Sequence, residues 1–259
     1  MALPLPPPRT GHELRGHEVA QFSRHLRQEM PYRVYGSSGV PVVAFPTSEA
    51  RFSQWEDFGM VEAVRGFIES GAIQLFTVDT IDKQTFFPEP PSYADKQKAM
   101  RRYEQYLAYV HEEFMPTIIG QTGQRPILTG CSMGAYHSAN YFFRFPANVA
   151  GVIALSGVYS LYHFLGLTRM AAVKANSPLR YLAGGVTNEQ RRAYEHAKLI
   201  FCAGQDASEQ EMLADTEALG KVLKADRIPA WVDIWGPDVT HDWPWWKQQL
   251  NYFLPKVLN

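Results

Sequence analysis

The sequence predicts an α/β fold, in which a mostly parallel β-sheet is covered by helices on both faces. Continuous apolar runs of strand length, such as Val40–Phe45 and Ile73–Val78, are typical of strands buried on both faces. Segments with helical spacing follow these runs, so strands and helices alternate along the chain. The 259 residues are 46% hydrophobic, which suffices for one large core. We therefore expect a single domain over residues 18–259, preceded by a Pro-rich N-terminal arm over residues 1–17.

Each element is predicted from hydrophobic periodicity and from the turn signals that separate the segments. Strands are expected at residues 18–26, 30–35, 40–45, 73–78, 125–129, 149–156, 199–203 and 230–235. Helices are expected at residues 58–70, 92–119, 134–145, 209–225 and 243–254, and the first of them ends at Gly71. The first two strands have tight connections and could form an antiparallel edge. Residues 160–197 carry only short helical patterns, and an insert over residues 159–197 is predicted to form a small cap.

Charge and cysteine content argue against several kinds of protein. The formal net charge is −1 with both signs mixed along the chain, so nothing indicates a nucleic-acid partner. The two cysteines, Cys131 and Cys202, lie in or beside apolar runs, which argues against a disulfide framework or a metal site. The first residues have no signal-peptide pattern, and no apolar run approaches membrane-spanning length. A cytoplasmic protein without a membrane partner is expected, and a homo-oligomer is left open.

The strongest local signal is the segment Gly130-Cys131-Ser132-Met133-Gly134, which lies between a short apolar strand and a helix. This context is that of a nucleophile elbow, whose glycines let a strained turn pass close to its neighbours. The serine hydroxyl then projects above the carboxyl end of the sheet, beside the positive end of the helix. Ser132 is predicted to be a catalytic nucleophile, and the alternative is a simple helix N-cap.

A serine nucleophile needs a base that takes its proton. In α/β-hydrolases the chain order is Ser, acid, His, and four histidines follow Ser132. His241 lies after the last predicted strand and just before the last helix, where a loop can return to the elbow. We predict that His241 is the base; the alternative is a surface loop histidine. His137, His163 and His196 are expected to be structural or exposed.

The acid of the triad is expected in the loop after the predicted strand 199–203. Asp206 follows that strand and a glycine, which is the favoured position for a carboxylate that holds the imidazole. Glu209 is the second candidate, although a carboxylate there could instead complete a helix cap. Asp206 could itself be a cap residue, so the choice between the two stays open.

An oxyanion hole needs donors that point at the developing negative charge. One is expected to be the backbone N–H of Met133, which directly follows the nucleophile. The second should come from the loop after strand 40–45, where Thr47 or Ser48 could supply a backbone N–H. Pro46 cannot donate.

Together these segments resemble the esterase D-like family of α/β-hydrolases. The resemblance covers about residues 30–254 and depends on Met30-Pro-Tyr-Arg-Val-Tyr35, Gly130-Cys-Ser-Met-Gly134, Leu155-Ser-Gly-Val158 and His241-Asp-Trp243. It implies the α/β-hydrolase three-layer sandwich and a Ser-Asp-His triad. S-formylglutathione hydrolases, feruloyl esterases, siderophore esterases and mycolyl-transferring enzymes belong to this family. Two loops depart from its pattern, because residues 204–209 lack the plain Gly-x-x-Asp and residues 46–48 replace a His-Gly pair.

The expected function is a serine esterase that cleaves small or medium carboxylic esters or thioesters through an acyl-enzyme, without a cofactor or metal. The alternative, which the two loop departures favour, is a non-catalytic or weakly active binding protein on the same scaffold. Three residues are candidates for contact with a small-molecule ester substrate: Trp243, His163 and Phe164. Trp243 could instead pack in the core, and His163 and Phe164 could instead pack the cap onto the body.

Overall fold

The computed structural model describes residues 14–166 and 169–258. Over these residues the chain forms one eight-stranded sheet. Its strands are β1 (His17–Val19), β2 (Tyr32–Tyr35), β3 (Val40–Phe45), β4 (Ile73–Val78), β5 (Ile127–Cys131), β6 (Gly151–Leu155), β7 (Lys198–Ala203) and β8 (Trp231–Ile234). Their order across the sheet is β1-β2-β4-β3-β5-β6-β7-β8. Strand β2 pairs antiparallel with β1 and with β4, whereas all other neighbours are parallel. The mostly parallel α/β sheet with an antiparallel edge, predicted from the sequence, is confirmed.

Helices cover both faces of this sheet. They are α1 (Gln54–Asp57), α2 (Met60–Ala63), α3 (Arg65–Glu69), α4 (Tyr93–Tyr109), α5 (Met115–Thr122), α6 (Met133–Arg144), α7 (Tyr162–Leu165), α8 (Ala171–Ala175), α9 (Pro178–Leu182), α10 (Asn188–Glu195), α11 (Gln210–Ala225) and α12 (Trp243–Leu258). A π-helical turn, Val110–Phe114, joins α4 to α5. No helix in the described part of the chain is both long and apolar enough to span a membrane.

The alternation of side chains along β3 explains the three layers. Val43 and Phe45 face one core cluster, which contains residues of α4, α6 and α11. Val42 and Ala44 point the other way, into a second cluster with α2, α3 and α12. Because successive strand residues point to opposite faces, a strand with no polar face must be covered on both sides. The apolar runs of the sequence therefore lie in the middle of a three-layer sandwich.

Two predicted elements differ from the structure. The expected strand over residues 18–26 is only β1, and Phe22–Ser23 instead pairs with Gln28–Glu29 in a separate hairpin. The Glu113 carboxylate accepts the backbone N–H groups of the turn of this hairpin, so these donors are satisfied by a side chain and not by a sheet. The expected helix over residues 58–70 is split into α2 and α3, which follow a left-handed Gly59 (φ 71°).

The insert contains the short helices α7 to α10, in keeping with its irregular sequence. Hydrogen bonds tie it to α6: Tyr136 donates its hydroxyl proton to the carbonyl of Asn176, and Tyr194 donates to that of Phe143. These contacts fix the insert on the body of the domain. That it caps the active site stays a prediction, and most of the Pro-rich arm, residues 1–13, lies outside the described residues.

Candidate active site

Ser132 occupies a sharp turn between the end of β5 and the start of α6. Its backbone has φ 57° and ψ −121°, a region that residues other than glycine rarely adopt. Such a conformation costs about 1–3 kcal/mol and persists only when surrounding structure enforces it. The Ser132 N–H donates to the carbonyl of Leu155 at 2.9 Å, which anchors the turn to β6. The side chain is partly exposed at the carboxyl end of the sheet.

The two glycines of this segment are required by close backbone contacts. A Cβ at Gly134 would lie within 3 Å of the carbonyl oxygens of Phe45 and Pro46. A Cβ at Gly130 would fall equally close to the backbone of Gly134. Neither position can hold a larger residue without moving main chain. The turn is thereby packed against the loop that follows β3.

The sequence-predicted oxyanion donors are not equally available. Met133 is the first residue of α6, so its N–H has no partner within the helix. The N–H of Thr47 donates to Gln54 Oε1 at 2.9 Å, and its hydroxyl accepts from Gln54 Nε2 at 2.6 Å. A neighbouring amide thus already accepts the Thr47 N–H, and the role of Thr47 as an oxyanion donor stays a prediction. Ser48 is partly exposed and is the remaining candidate in this loop.

His241 lies in the loop between β8 and α12, as the sequence predicts. Its Nδ1 atom is 2.8 Å from Oε1 of Glu209. Its ring and that of Trp246 form a T-shaped pair, with a centroid distance of 4.9 Å and an interplanar angle of 88°. Trp246 is itself fixed, since its indole N–H donates to the Ser156 hydroxyl at 2.9 Å. The imidazole is thus held by one carboxylate and one aromatic side chain.

The carboxylate of Glu209 is fully buried and has two donors. The exposed fraction of its side chain is 0%. One oxygen binds His241, and the other accepts the N–H of Gly204 at 3.2 Å. A buried carboxylate is tolerated only when it is hydrogen-bonded in this way. The arrangement suits an acid that fixes the tautomer of a histidine.

Asp206 does not take the position that the sequence favoured. Its Oδ1 accepts the N–H of Ser208 at 2.8 Å and the Ser208 hydroxyl at 2.7 Å, so it caps the short 3-10 turn Ala207–Glu209. The Ser208 N–H, followed by its hydroxyl, lowers the pKa of Asp206 below its ordinary value. The expected contact of Asp206 with His241 is wrong, because this turn brings Glu209 back toward the strand end. A capping role was the alternative for both residues, and the structure shows that Asp206 is the one whose side chain caps this turn.

The hydrogen bonds of the described residues include none between the Ser132 hydroxyl and the His241 ring. Such contacts are often long before substrate binds. The expected Ser132–His241 contact therefore stays a prediction.

The three candidate substrate residues make packing contacts. Trp243 stacks on Phe58 at 4.9 Å and belongs to the core cluster beneath the sheet. His163 pairs with Asp215 through Nε2 and Oδ2 at 3.1 Å, and this hydrogen bond raises the pKa of His163. Phe164 packs against the rings of Phe86 and Phe87. These contacts account for all three side chains, and their contact with substrate stays a prediction.

Two features of the site had little or no signal in the sequence. Ser208 accepts the N–H of His241 at 3.0 Å, a contact between residues 33 positions apart that no local pattern indicates. Beneath the elbow, His137 Nε2 lies 3.0 Å from Asp82 Oδ1, and both side chains are buried. The sequence placed His137 among the structural histidines but gave it no partner. The sequence shows that Asp206 and Glu209 both follow Gly204, but it does not indicate which of the two carboxylates contacts His241.

Comparisons with known proteins address the family and the fold of this chain. The sequence matches the model of a family described as Putative esterase over residues 23–257. Among curated proteins, no sequence matches this chain significantly.

Several solved structures are similar over nearly the whole chain. A ferulic acid esterase has a TM-score of 0.73 and 18% identity, and the match covers 94% of this chain and 98% of that one. An S-formylglutathione hydrolase from Agrobacterium tumefaciens has a TM-score of 0.71 and 15% identity, covering 96% of both chains. FphF, a fluorophosphonate-binding serine hydrolase of Staphylococcus aureus, has a TM-score of 0.66 and 16% identity, covering 95% of this chain and 98% of that one. At such low identity these likenesses show the fold.

Proposed function

The chain is an esterase that belongs to the Putative esterase family of α/β-hydrolases, and we propose that it cleaves small or medium carboxylic esters or thioesters through an acyl-enzyme on Ser132. The resemblance to this family in the sequence motifs is confirmed by the match over residues 23–257. One observation carries the mechanistic proposal: a strained serine turn occurs together with a histidine that is held by a fully buried carboxylate.

The first half of the reaction acylates Ser132. Its Oγ attacks the carbonyl carbon of the substrate while its proton passes to His241 Nε2. The bond to the alcohol or thiol then breaks, and the leaving group departs with that proton. His241 can do both steps because its other nitrogen is already committed to Glu209.

The negative oxygen of the tetrahedral intermediate is assigned to two backbone donors. The N–H of Met133 points from the first turn of α6, where the helix dipole also favours negative charge. Ser48 supplies the second N–H, since the donor of Thr47 is used by Gln54. In the second half, water attacks the acyl-enzyme while His241 takes its proton; the bond to Ser132 Oγ then breaks, His241 returns the proton to Oγ, and the acid is released.

Glu209 is assigned as the acid of the triad in place of Asp206. Its Oε1 accepts the proton on His241 Nδ1, which leaves Nε2 free to act as a base. Its negative charge also stabilises the imidazolium that forms during each half-reaction. The second bond, from Gly204, keeps the carboxylate oriented.

The substrate class is supported by the neighbours of the fold. The names ferulic acid esterase and S-formylglutathione hydrolase denote a carboxylic ester and a thioester substrate for those proteins. A site built from one serine, one histidine and backbone donors can process both chemistries, since each passes through the same tetrahedral oxyanion.

Labelling with a fluorophosphonate and hydrolysis of a nitrophenyl acetate-type ester test this proposal. Ser132→Ala should abolish both while the circular dichroism spectrum stays unchanged. Ser53→Ala is a matched control, because Ser53 is partly exposed and its hydroxyl, among the described contacts, donates only to Asp57. Wild-type turnover by Ser132→Ala would refute the assignment. A folded wild-type protein that neither labels nor hydrolyses esters would instead favour a binding protein on this scaffold.

A further inference from the structure

The loop that carries His241 is fastened to the loop that carries Glu209. Backbone bonds join Gln205 N–H to the Gly236 carbonyl at 3.2 Å and Asp206 N–H to the Val239 carbonyl at 3.3 Å. A Cβ at Gly204 would lie within 3 Å of the Val239 carbonyl oxygen, so the backbones of the two loops are in direct contact. The position of the His241 backbone therefore depends on the 204–209 loop.

A side-chain relay completes this attachment at His241 itself. The N–H of His241 donates to the Ser208 hydroxyl at 3.0 Å, and that hydroxyl donates to Asp206 Oδ1 at 2.7 Å. A hydroxyl has one proton, and the anionic carboxylate is its strongest acceptor here. With the proton directed to Asp206, a lone pair of the oxygen is free to accept from His241.

The geometry points to Ser208 and Asp206 as positioning residues for His241, an inference that rests on the proposed role of His241 as the base. Glu209 fixes the ring at Nδ1, whereas Ser208 fixes the main chain from which the ring extends. Two anchors at opposite ends of one side chain define its place more closely than one. Neither Ser208 nor Asp206 is assigned a contact with substrate or with the reacting atoms.

The expected effect lies in kcat and not in KM. A displaced base lowers the rate of proton transfer, but it leaves substrate contacts intact. The relay is exposed to solvent, so water can partly replace it, and the loss should resemble that of one ordinary hydrogen bond. We expect Ser208→Ala to lower kcat about two- to tenfold. Ser208→Thr keeps the hydroxyl and should restore most of this loss.

The experiment compares wild type, Ser208→Ala, Ser208→Thr and Ser92→Ala. Ser92 is a matched control because it also pairs with an aspartate at a helix start, accepting the N–H of Asp95 and donating to its carboxylate, with no described contact to His241. Steady-state hydrolysis separates kcat from KM, and the rate of fluorophosphonate labelling reports activation of Ser132 alone. Ser208→Ala should slow labelling and kcat by the same factor, with KM unchanged, while Ser92→Ala keeps wild-type values.

Three results would overturn the inference: wild-type kcat for Ser208→Ala, no rescue by Ser208→Thr, or an equal loss in Ser92→Ala. These outcomes are separable from failure of the proposed function. If Ser132→Ala retains turnover, the proposed mechanism fails. If Ser132→Ala is inactive and Ser208→Ala behaves as wild type, only the positioning role fails.

Discussion

Replacing Glu209 by Gln tests the proposed catalytic acid with almost no change of shape. The wild-type carboxylate accepts two hydrogen bonds, from His241 Nδ1 at 2.8 Å and from the Gly204 N–H at 3.2 Å. A carboxamide has one accepting oxygen and one donating NH₂ group. Because both partners of Glu209 donate, Gln can satisfy both only if the His241 ring changes its tautomer, and the buried side chain has no exposed area from which to recruit water.

The two orientations of the amide have different consequences. If the NH₂ group faces His241, Nδ1 must accept and the ring proton moves to Nε2, which can then no longer take the serine proton. A wrong tautomer of this kind costs about 10⁴-fold in kcat. If the amide oxygen faces His241 instead, the Gly204 N–H loses its partner, which costs about 1–3 kcal/mol of stability. The first orientation leaves no buried donor without a partner, so we expect it to dominate and kcat to fall by up to ~10⁴-fold with a small change in KM.

The assay is steady-state hydrolysis of a nitrophenyl ester by purified Glu209→Gln and Asp206→Asn, with thermal unfolding of each to show that it is folded. Asp206→Asn should lose far less activity, because an amide oxygen can still accept from Ser208. Near-wild-type kcat for Glu209→Gln would refute the reasoning. An inactive Asp206→Asn beside an active Glu209→Gln would return the acid to Asp206.

Three further outcomes are expected. Gly134→Ala places a Cβ within 3 Å of the carbonyl oxygens of Phe45 and Pro46, so it should lower the unfolding free energy by about 1–3 kcal/mol or more. Gly120→Ala has open space around it and should stabilise the protein slightly. Urea unfolding of both variants measures these changes. Trp246→Phe removes the indole donor of a buried serine hydroxyl and should cost about 1–3 kcal/mol together with part of kcat, measured by unfolding and kinetics. The hydrogen bond from His163 to Asp215 raises the pKa of His163 in the fold, so its contribution to stability is fully present below the unfolded pKa of about 6.5 and is lost as pH rises through the folded value. The difference in unfolding free energy between wild type and His163→Gln should therefore shrink as pH rises above about 6.5, and a difference that stays constant with pH would contradict this.

Strong, continuous patterns in the sequence predicted the core of the fold well. Runs such as Val42 to Phe45 have no polar face, so they could only be central strands, and the structure buries them on both sides. Weaker patterns were misread where side chains or glycines intervene. Gly59 adopts a left-handed conformation, and the helix predicted around it is broken. The strand expected to continue from β1 ends early, because the Glu113 carboxylate accepts a backbone N–H of the following turn.

The sequence by itself determined the α/β architecture and the strained turn at Ser132, because both depend on residues that are close together in the chain. A strand, two glycines, Ser132 and a helix are contiguous, and the strained backbone follows from their local packing. Only the tertiary structure decided which carboxylate faces His241. Asp206 and Glu209 lie in one short loop, and either can cap a helix or hold an imidazole. The choice depends on the approach of a loop 32 residues away, which carries His241 to Glu209 while Asp206 is used by Ser208. Contacts between distant segments leave no periodic trace in the sequence, so their partners are fixed only when the sheet brings the two loops together.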